Sequence, residues 1–582
     1  MFVFLKYNKL FQSFIRYKAN YDRLIFSLAD NPRLKFAIVF IIYLLLAFST
    51  LWHTMHVENW PANHDLNHNF KRVFIIARHL LQLDFLPVWS ALDNLGAGSP
   101  QPLLYHKIFN LTAALLYCIT SSYKVSFALT IAIYLIIGGF GMKKLCRYAG
   151  CNEFMSFCGG AMLIVANYTI TNWLIRGAFA ELVAAMFVPW FFVEFLRSLT
   201  KTRITKGLAF YSSLLVLSHS LIAYYGLLIA GTFGLCYAFY YRNLLKYLNP
   251  KNLFAPLAIA LLVAGPYLFS MAVIGGDYDL SRLAEQYLPE NEIQPINRYF
   301  WDKEWVWGRT FYGFTVQIDI IPMVLLVIGV LGLCMGLEKK FSGTAKENLG
   351  YLTERGCQIL TFFSVTLILI LFLQLPVALT VFYEIIPGAS YIQFPWRLLA
   401  LLTPALIALS LFLVTFPYAT ARRKTITTFF SNILTFCATL IMISYCGAYA
   451  GVEWESVKSI SPEEQISFSY SKEFVPVSDT TNEPQHIANP NCNVFRHPGE
   501  AEMLDVHFTI ECSAPSQVVL PIYCSPAHSV EIAGKIQRWQ KNRDFPSMCS
   551  LSLPEGKTDL LVHMPTMSRL LKNIWMNYKP DN

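Results

Sequence analysis

The chain has 582 residues, of which 55% are hydrophobic, 15% aromatic and only 14% charged, and its mean hydropathy is +0.43. A soluble domain carries about 25% charged residues, so this composition excludes a soluble globular protein. The net charge of +9 comes from basic residues in short segments between apolar runs. That is the positive-inside pattern of a membrane protein, not a nucleic-acid-binding surface.

Residues 1–35 carry scattered Lys and Arg among aromatic residues, and no small-residue cleavage site follows a short apolar core. We therefore predict a cytoplasmic amphipathic segment that lies on the membrane, and not a cleaved signal. The first apolar run, 36–52, is long enough to cross a hydrocarbon core of about 30 Å. The polar loop 53–105 that follows it is then outside.

This outer loop contains a dense polar group that includes Asp65. An aspartate in a poorly solvated loop can act as a general base. It is equally a favoured N-cap, so Asp65 alternatively caps a helix that begins near Leu66. His64 and His68 are spaced i,i+4 around it, but two His and one Asp are a weak metal pattern. We predict neither a metal nor another cofactor.

The next apolar stretch, 106–120, is short and begins with His106 and Lys107. As a full span it would place two later basic loops outside, against the charge rule. We therefore predict a re-entrant or interfacial helix there. The remaining spans are 123–142, 154–172, 180–197, 207–223, 225–241, 253–274, 317–337, 357–380, 397–417 and 425–446. With the first, the prediction is eleven spans.

In this topology several ionisable residues converge on the outer face, together with the aromatic loop 275–316. Ionisable groups at membrane depth are costly and usually paired or functional. Each also has a simpler interpretation. Arg176 and Glu181 could pair with each other, His219 could be a hydrogen-bonded helix-end residue, and Arg397 could be an interfacial anchor.

The shared face indicates a chemistry. A polyprenyl-phosphate-linked sugar presents an anionic phosphate at the membrane surface, and Arg suits multipoint contact with phosphate oxygens. Transfer of the sugar to a hydroxyl needs a base near the acceptor, for which Asp65 is the candidate. The predicted substrate-binding residues are His68, Arg72, Tyr105, Lys107, Arg176, Glu181, His219 and Arg397.

Residues 451–582 change character. Short alternating runs separated by Pro, Gly, Ser and Asn predict a small antiparallel β-domain of sandwich type, preceded by a polar connector over 451–500. We place this region in the periplasm. It holds four cysteines, Cys492, Cys512, Cys524 and Cys549, for which three disulfide pairings are open.

The ordered set of short motifs resembles the GT-C class of polytopic glycosyltransferases. It is most similar to the bacterial membrane-protein family labelled 6-pyruvoyl-tetrahydropterin-synthase-related. The matching pieces are DLNHNFKR (65–72), LPVW (86–89), GAGSP (96–100), RGAFAE (176–181), Ser218-His219, FPWR (394–397) and VVLPIY (518–523). The chain departs from many members at His106, where they have a second Pro beside the Tyr. No compact His-ligand set supports the pterin-synthase label.

The resemblance implies a GT-C-like domain over 36–450 in the bacterial inner membrane. It also implies a polyprenyl-phosphate-sugar donor, a glycan or lipid acceptor on the outer face, and an inverting displacement with Asp65 as base. Two other functions remain open from the residues alone. One is a transporter or flippase of a lipid-linked saccharide, and the other is a non-catalytic scaffold for envelope assembly.

Overall fold

The structure is a computed structural model. It describes residues 31–52, 54, 59–241, 244–247, 249–274, 278, 288–302, 315–341, 354–415, 424–445, 454–456, 476, 487, 489–497, 503–525, 527–542 and 544–577. Most of the predicted N-terminal amphipathic segment, most of the loop 275–316 and most of the connector 451–500 lie outside the described residues.

Every apolar run identified in the sequence contains a helix. The helices are α1 (Pro32–Thr50), α2 (Leu66–Leu81), α3 (Ile108–Thr120), α4 (Tyr123–Tyr148), α5 (Glu153–Ile164), α6 (Asn167–Leu174), α7 (Phe179–Lys201), α8 (Lys206–Ser218), α9 (Ser220–Tyr240), α10 (Pro250–Val263), α11 (Gly265–Ile274), α12 (Ile320–Phe341), α13 (Glu354–Phe372), α14 (Leu399–Thr415), α15 (Lys424–Tyr445) and α16 (Met567–Asn577). Shorter turns of helix lie at Asn94–Gly96, Gln101–Leu104, Leu244–Tyr247, Pro289–Glu292, Ile296–Phe300, Leu379–Tyr383, Ala389–Ile392 and Pro395–Leu398.

The chain is a helical membrane protein with several spans. Among the described residues, seven helices are long and apolar enough to cross a bilayer, or eight if the bent pair α10 and α11 is one span. Four shorter apolar helices, at Ile108–Thr120, Lys206–Ser218, Ile320–Cys334 and Phe430–Ser444, accompany them. The count of eleven spans stays a prediction.

Helices α7 and α14 form the centre of the bundle. In each, 94% of the apolar window is buried, against 22% in the peripheral helix α1. Helix α4 approaches α7 closely, because a Cβ on Gly138 would overlap Met186 and one on Gly141 would overlap Trp190. The Trp190 indole donates to the Ile137 carbonyl at 2.9 Å across the same contact. The middle of α7 is therefore held closely against α4 in the bundle core.

Two breaks in the helices bring polar groups to the start of α7. Residues 175–178 link α6 to α7 through Gly177, whose φ of +63° suits glycine. Helix α8 ends at Ser218, and His219 is extended (φ −160°, ψ 106°) before α9 begins. The sequence-based boundary between these two helices, near 224, was therefore about five residues too late. The apolar pattern runs through His219 without interruption.

The loop 53–105, predicted to lie outside, contains folded elements and is not a simple connector. Its strand β1 (Asn59–Pro61) pairs antiparallel with β2 (Trp454–Ser456), so the chain that follows the last apolar helix returns to it. Helix α2 then packs against α3. The sequence analysis missed the β1–β2 pairing, because two three-residue strands far apart in sequence have no detectable periodicity.

The C-terminal region is a sheet domain, as the alternation predicted. Its strands are β3 (Cys492–His497), β4 (Asp505–Cys512), β5 (Ser516–Tyr523), β6 (Ser529–Ile532), β7 (Lys535–Gln537), β8 (Gln540–Lys541), β9 (Met548–Leu553) and β10 (Gly556–His563). They form a five-stranded sheet ordered β3-β4-β10-β6-β7 and a three-stranded sheet ordered β5-β9-β8. Strand β3 and β2 lie inside the stretch predicted as a loose connector, so that boundary was wrong.

The structure settles the disulfide pairing that the sequence left open. Cys492 bonds Cys512, and Cys524 bonds Cys549. The first pair is also directly opposite in the β3–β4 register, so it staples the edge strand that carries Arg496. Such cross-links stabilise mainly by restricting the unfolded chain.

The sheet domain docks on the Gly-rich turn of the outer loop. Arg496 donates to the carbonyl of Gly96 at 2.5 Å and to that of Ala91 at 3.4 Å. The Tyr523 amide donates to the Ala97 carbonyl at 2.8 Å. Apolar residues of the loop share one core with the sheets. The motif GAGSP therefore forms part of the surface on which the sheet domain docks.

We predict that Gly96→Ala weakens the contact between this turn and the sheet domain. A Cβ there would lie 2.6 Å from Arg496 Nη1, and φ is +90°, so the variant combines backbone strain with a displaced hydrogen bond. Amide exchange over residues 90–99 should accelerate by about tenfold or more. The measurement is hydrogen exchange of the full-length protein followed by mass spectrometry.

Gly534→Ala is the matched control, since φ is +77° there but no atom lies within 4 Å of the added Cβ. It should leave residues 90–99 unchanged. When Arg496 is already replaced by Ala, Gly96→Ala should accelerate amide exchange less, because only the backbone strain then remains. Equal acceleration with and without Arg496 would contradict the proposed contact.

Candidate active site

The side chain at the centre of the site is Glu181, in the first turn of α7. It is 1% exposed and pairs with Arg176 through both oxygens, Nη1 to Oε1 at 2.9 Å and Nη2 to Oε2 at 3.0 Å. The Tyr168 hydroxyl also donates to Oε1. Arg176 further donates to Asn172 Oδ1 at 2.5 Å. The pairing considered from the sequence is confirmed, and it is bidentate.

Two further basic side chains face the same carboxylate. Arg397 Nε lies 3.7 Å from Glu181 Oε2, and His219 Nε2 lies 4.0 Å from it. Arg397 is held by Gln393 Oε1 at 3.0 Å, and Trp396 lies under the Arg176 guanidinium at 4.3 Å. One carboxylate therefore orients groups from the α6–α7 link, the α8–α9 break and the short helix Pro395–Leu398 before α14.

Asp65 lies against this cluster through its backbone. Its amide donates to the Arg176 carbonyl at 3.3 Å, and the His64 amide donates to the Ile175 carbonyl at 3.2 Å. Helix α2 begins at Leu66, as predicted, but the Asp65 carboxylate makes no capping hydrogen bond. The carboxylate therefore does not serve as the side-chain cap that was its simpler interpretation.

Arg72 lies on α2, about two turns beyond Asp65. Its guanidinium stacks on the Tyr105 ring at 3.6 Å. Its Nε and Nη1 atoms are buried, and neither has a hydrogen-bond partner among the described residues. A buried charged donor without an acceptor is costly. The described part of the site therefore lacks a hydrogen-bond acceptor for Arg72. An anionic ligand would supply one.

Tyr105 shows that the charged groups of the site surround one place. Burial raises the pKa of Tyr105, and the charges of Arg72, Asp65, Arg397 and Arg176 all act on the same phenol. With Glu181, three guanidinium groups and two carboxylates meet here, and the Glu292 carboxylate also acts on Arg397. The feature that favours an anion is therefore the Arg72 guanidinium, which lacks an acceptor within the described residues.

Two of the predicted substrate-binding residues, Lys107 and His68, have different surroundings. The Lys107 ammonium is buried and donates to three carbonyls, of Pro102 at 2.5 Å and of Leu103 and Tyr105. Burial also lowers the pKa of Lys107. All three donors are used, so Lys107 closes the turn before α3 and has none left for a phosphate in this arrangement. His68 is exposed on α2.

The histidines near Asp65 do not assemble a metal site within the described residues, where no three His, Cys, Asp or Glu side chains form a ligand group. Burial, together with the nearby Arg176, lowers the pKa of His64 to about 4, although Asp65 acts in the opposite direction. His64 is therefore a neutral imidazole at physiological pH.

Sequence reasoning missed four members of the cluster. His106 stacks on His219 with ring centroids 4.4 Å apart, and Tyr168, Asn172 and Trp396 hold Arg176. A signal existed for two of them. Tyr168, Asn172 and Arg176 follow one another at four-residue spacing, which places them on one helical face.

No family model matches the chain, and no curated protein sequence matches it. Among solved structures it is similar to the arabinofuranosyltransferase AftD from Mycobacteria (TM-score 0.41, 13% identity, 73% of this chain and 27% of that one). It is also similar to the Archaeoglobus fulgidus oligosaccharyltransferase in its apo form (0.41, 12%, 76% and 61%). A third is the arabinosyltransferase EmbB from Mycobacterium smegmatis (0.34, 11%, 90% and 62%). The chain spans between 27% and 62% of the length of these proteins, and similarity of this degree assigns it no activity.

We predict that Glu181→Gln strongly destabilises the protein. The substitution keeps the shape of the side chain but leaves Arg176 buried without its counter-charge, which costs about 3–5 kcal/mol. The measurement is thermal unfolding of the full-length protein in nanodiscs.

Glu153→Gln is the control, on helix α5. Glu153 is 46% exposed and lies 3.3 Å from the exposed Arg147, and an exposed pair of that kind contributes about 0–1 kcal/mol. A loss of stability in Glu181→Gln no larger than in Glu153→Gln would contradict the central role of Glu181.

Proposed function

We propose that the chain is a GT-C-type glycosyltransferase. It transfers a sugar from a polyprenyl-phosphate-linked donor to a hydroxyl acceptor at the outer face of the inner membrane. The observation that carries the proposal is Arg72, whose buried Nε and Nη1 have no hydrogen-bond partner in the described part of the chain while its guanidinium stacks on Tyr105. A phosphate supplies both the negative charge and the acceptor oxygens that this guanidinium lacks.

Each charged residue has a role in the proposed reaction. Arg72 binds the donor phosphate, and Arg397 lies close enough to the cluster to add a second cation. Arg176 is engaged by Glu181 through both oxygens, so we propose that this pair holds the site in shape. Glu181 orients the cations and does not contact substrate, which refines its predicted substrate-binding role.

The bond changes follow an inverting single displacement. The acceptor oxygen attacks the anomeric carbon, and its proton passes to the Asp65 carboxylate. The bond between that carbon and the phosphate oxygen breaks, and its electron pair stays on the phosphate. Polyprenyl phosphate leaves with one more negative charge, which Arg72 and Arg397 stabilise. No cofactor is needed for this balance.

The proposed orientation follows from the two ends of α7. Asp65, Arg176 and Arg397 lie at its first turn, whereas Lys201 and Arg203 lie at its other end. The positive-inside rule places the second end in the cytoplasm. Eleven spans, a cytoplasmic N-terminus and a periplasmic sheet domain of the bacterial inner membrane complete the proposal.

We predict that Asp65→Asn abolishes transfer while the protein still folds and binds donor. The carboxylate caps no helix, so its loss removes the base at little structural cost, and the rate should fall by about 10²–10⁴-fold. The measurement is transfer of labelled sugar from polyprenyl-phosphate-linked donors in membranes that contain the full-length protein.

Asp84→Asn is the control on the same loop, because Asp84 pairs with His79 at 3.1 Å and has no role in the proposed reaction. It should retain activity. Full activity in Asp65→Asn would remove Asp65 as the base. Movement of intact lipid-linked sugar across liposomes without transfer would favour the flippase alternative.

We further predict that Arg72→Gln weakens binding of polyprenyl phosphate, the sugar-free carrier, by about 10- to 100-fold, since a hydrogen bond to a charged group contributes about 1.5–3 kcal/mol. Arg72→Lys should restore only part of the affinity, because it keeps the charge and loses the planar fork. Binding is measured by tryptophan fluorescence in nanodiscs.

Arg78→Gln, on the exposed side of the same helix, should bind the carrier as the unaltered protein does. If Arg72→Gln and Arg78→Gln behave alike, Arg72 is not the phosphate ligand.

A further inference from the structure

A basic cavity lies at the other end of α7, away from the Glu181 cluster. It has a volume of about 510 Å³ and is lined by Lys201, Thr202, Arg203, Lys246, Asn249 and Asn252. These residues come from two loops that the charge rule predicts on the cytoplasmic side. Their meeting in one cavity agrees with that shared placement.

The cavity has three cations and no carboxylate in its lining. Lys201, Arg203 and Lys246 form no ion pair with any residue in the described part of the chain. The neighbouring cations differ in this respect, since Arg197 pairs with Glu194 at 2.7 Å and Lys144 lies 3.6 Å from it. Like charges gathered without a counter-ion repel each other, and a bound anion relieves that repulsion.

The helix ends add to the positive field. Helix α10 begins at the cavity with Asn249 as its N-cap, and its first turn contains no acidic residue. The positive end of its dipole therefore faces Lys246 and the other cations. Lys201 alone has a simpler explanation, because it also complements the negative C-terminal end of α7. That explanation does not extend to Lys246 or to the start of α10.

Exposed apolar side chains on the helices that flank these loops indicate the source of the anion. Tyr240 is 81% exposed at the end of α9, and Phe254 is 77% exposed on α10, with Leu257 three residues further along that helix. Apolar side chains on the elements that carry a basic cavity suit acyl chains that continue from a headgroup. A soluble phosphate would gain no contact from them.

We propose that this cavity binds the phosphate headgroup of an anionic phospholipid in the cytoplasmic leaflet. Residues 181 to 201 of α7 span about 30 Å at 1.5 Å per residue, which equals the hydrocarbon thickness. The lipid site is therefore separate from the Glu181 cluster and lies at the opposite membrane surface. Acidic lipid stabilises the junction of α7, the Leu244–Tyr247 turn and α10.

The test is native mass spectrometry of the full-length protein in phosphatidylcholine nanodiscs titrated with phosphatidylglycerol. Each of Lys201→Gln, Arg203→Gln and Lys246→Gln should weaken phosphatidylglycerol retention about fivefold, and the triple variant about 100-fold. Lys251→Gln is the matched control. It removes a charge from the same surface without lining the cavity, and should leave retention unchanged.

The other outcomes overturn the proposal. If Lys251→Gln lowers phosphatidylglycerol retention as much as the cavity variants do, the lipid is attracted by the charge of the whole surface and not by a site. Displacement of phosphatidylglycerol by inorganic phosphate would mean a site for a soluble anion. Thermal unfolding in pure phosphatidylcholine, unchanged among the variants, verifies that they fold. Asp65→Asn should retain the lipid in full, so failure of the transferase proposal and failure of this one are distinguishable.

Discussion

The buried ion pair of Glu181 with Arg176 is the interaction on which the site depends. A carboxylate that is 1% exposed remains charged at acceptable cost only if guanidinium and hydroxyl groups replace its water. Arg176 and Tyr168 do so, and Arg397 and His219 approach the same oxygens. Because these partners come from four segments of the chain, their relative positions are fixed by one charge. The carbonyl of Arg176 in turn receives the amide of Asp65, so the proposed base is positioned by the same pair.

A second buried pair extends this order to the sheet domain. Lys71 and Asp93 are 2.5 Å apart and almost fully buried. Asp93 also accepts the Ser99 hydroxyl at 2.7 Å, and its carbonyl accepts the Gly98 amide at 2.8 Å. The turn that Arg496 holds is therefore connected through Asp93 to the residue beside Arg72. The sheet domain, which disulfides cross-link, is thus connected to the proposed phosphate-binding residue Arg72. The connection consists of the Arg496 hydrogen bonds, the turn around Asp93 and the ion pair of Asp93 with Lys71.

The sequence was sufficient for features that arise from local pattern. Apolar length located a helix in every run, alternation located the sheets, and the charge rule grouped Arg176, His219 and Arg397 at one end before any geometry was known. It was insufficient where long-range packing decides. The β1–β2 pairing joins residues about 400 apart in sequence. Lys107 looks like a phosphate ligand in the sequence, but its donors turn to three carbonyls because the chain before α3 would otherwise leave them buried and unsatisfied. Only the fold shows that Glu181 organises the cations around it.

The electrostatics of the two carboxylates explain why only one of them suits the proposed base. Glu181 is saturated by hydrogen bonds and could accept a proton only by breaking the pair that holds the site. Asp65 has no capping bond to lose. When Asp65 takes the acceptor proton, the site loses one negative charge as the leaving phosphate gains its second. Proton transfer and departure of the phosphate therefore stabilise each other, and Arg72 and Arg397 bind the ionised product more strongly than the donor.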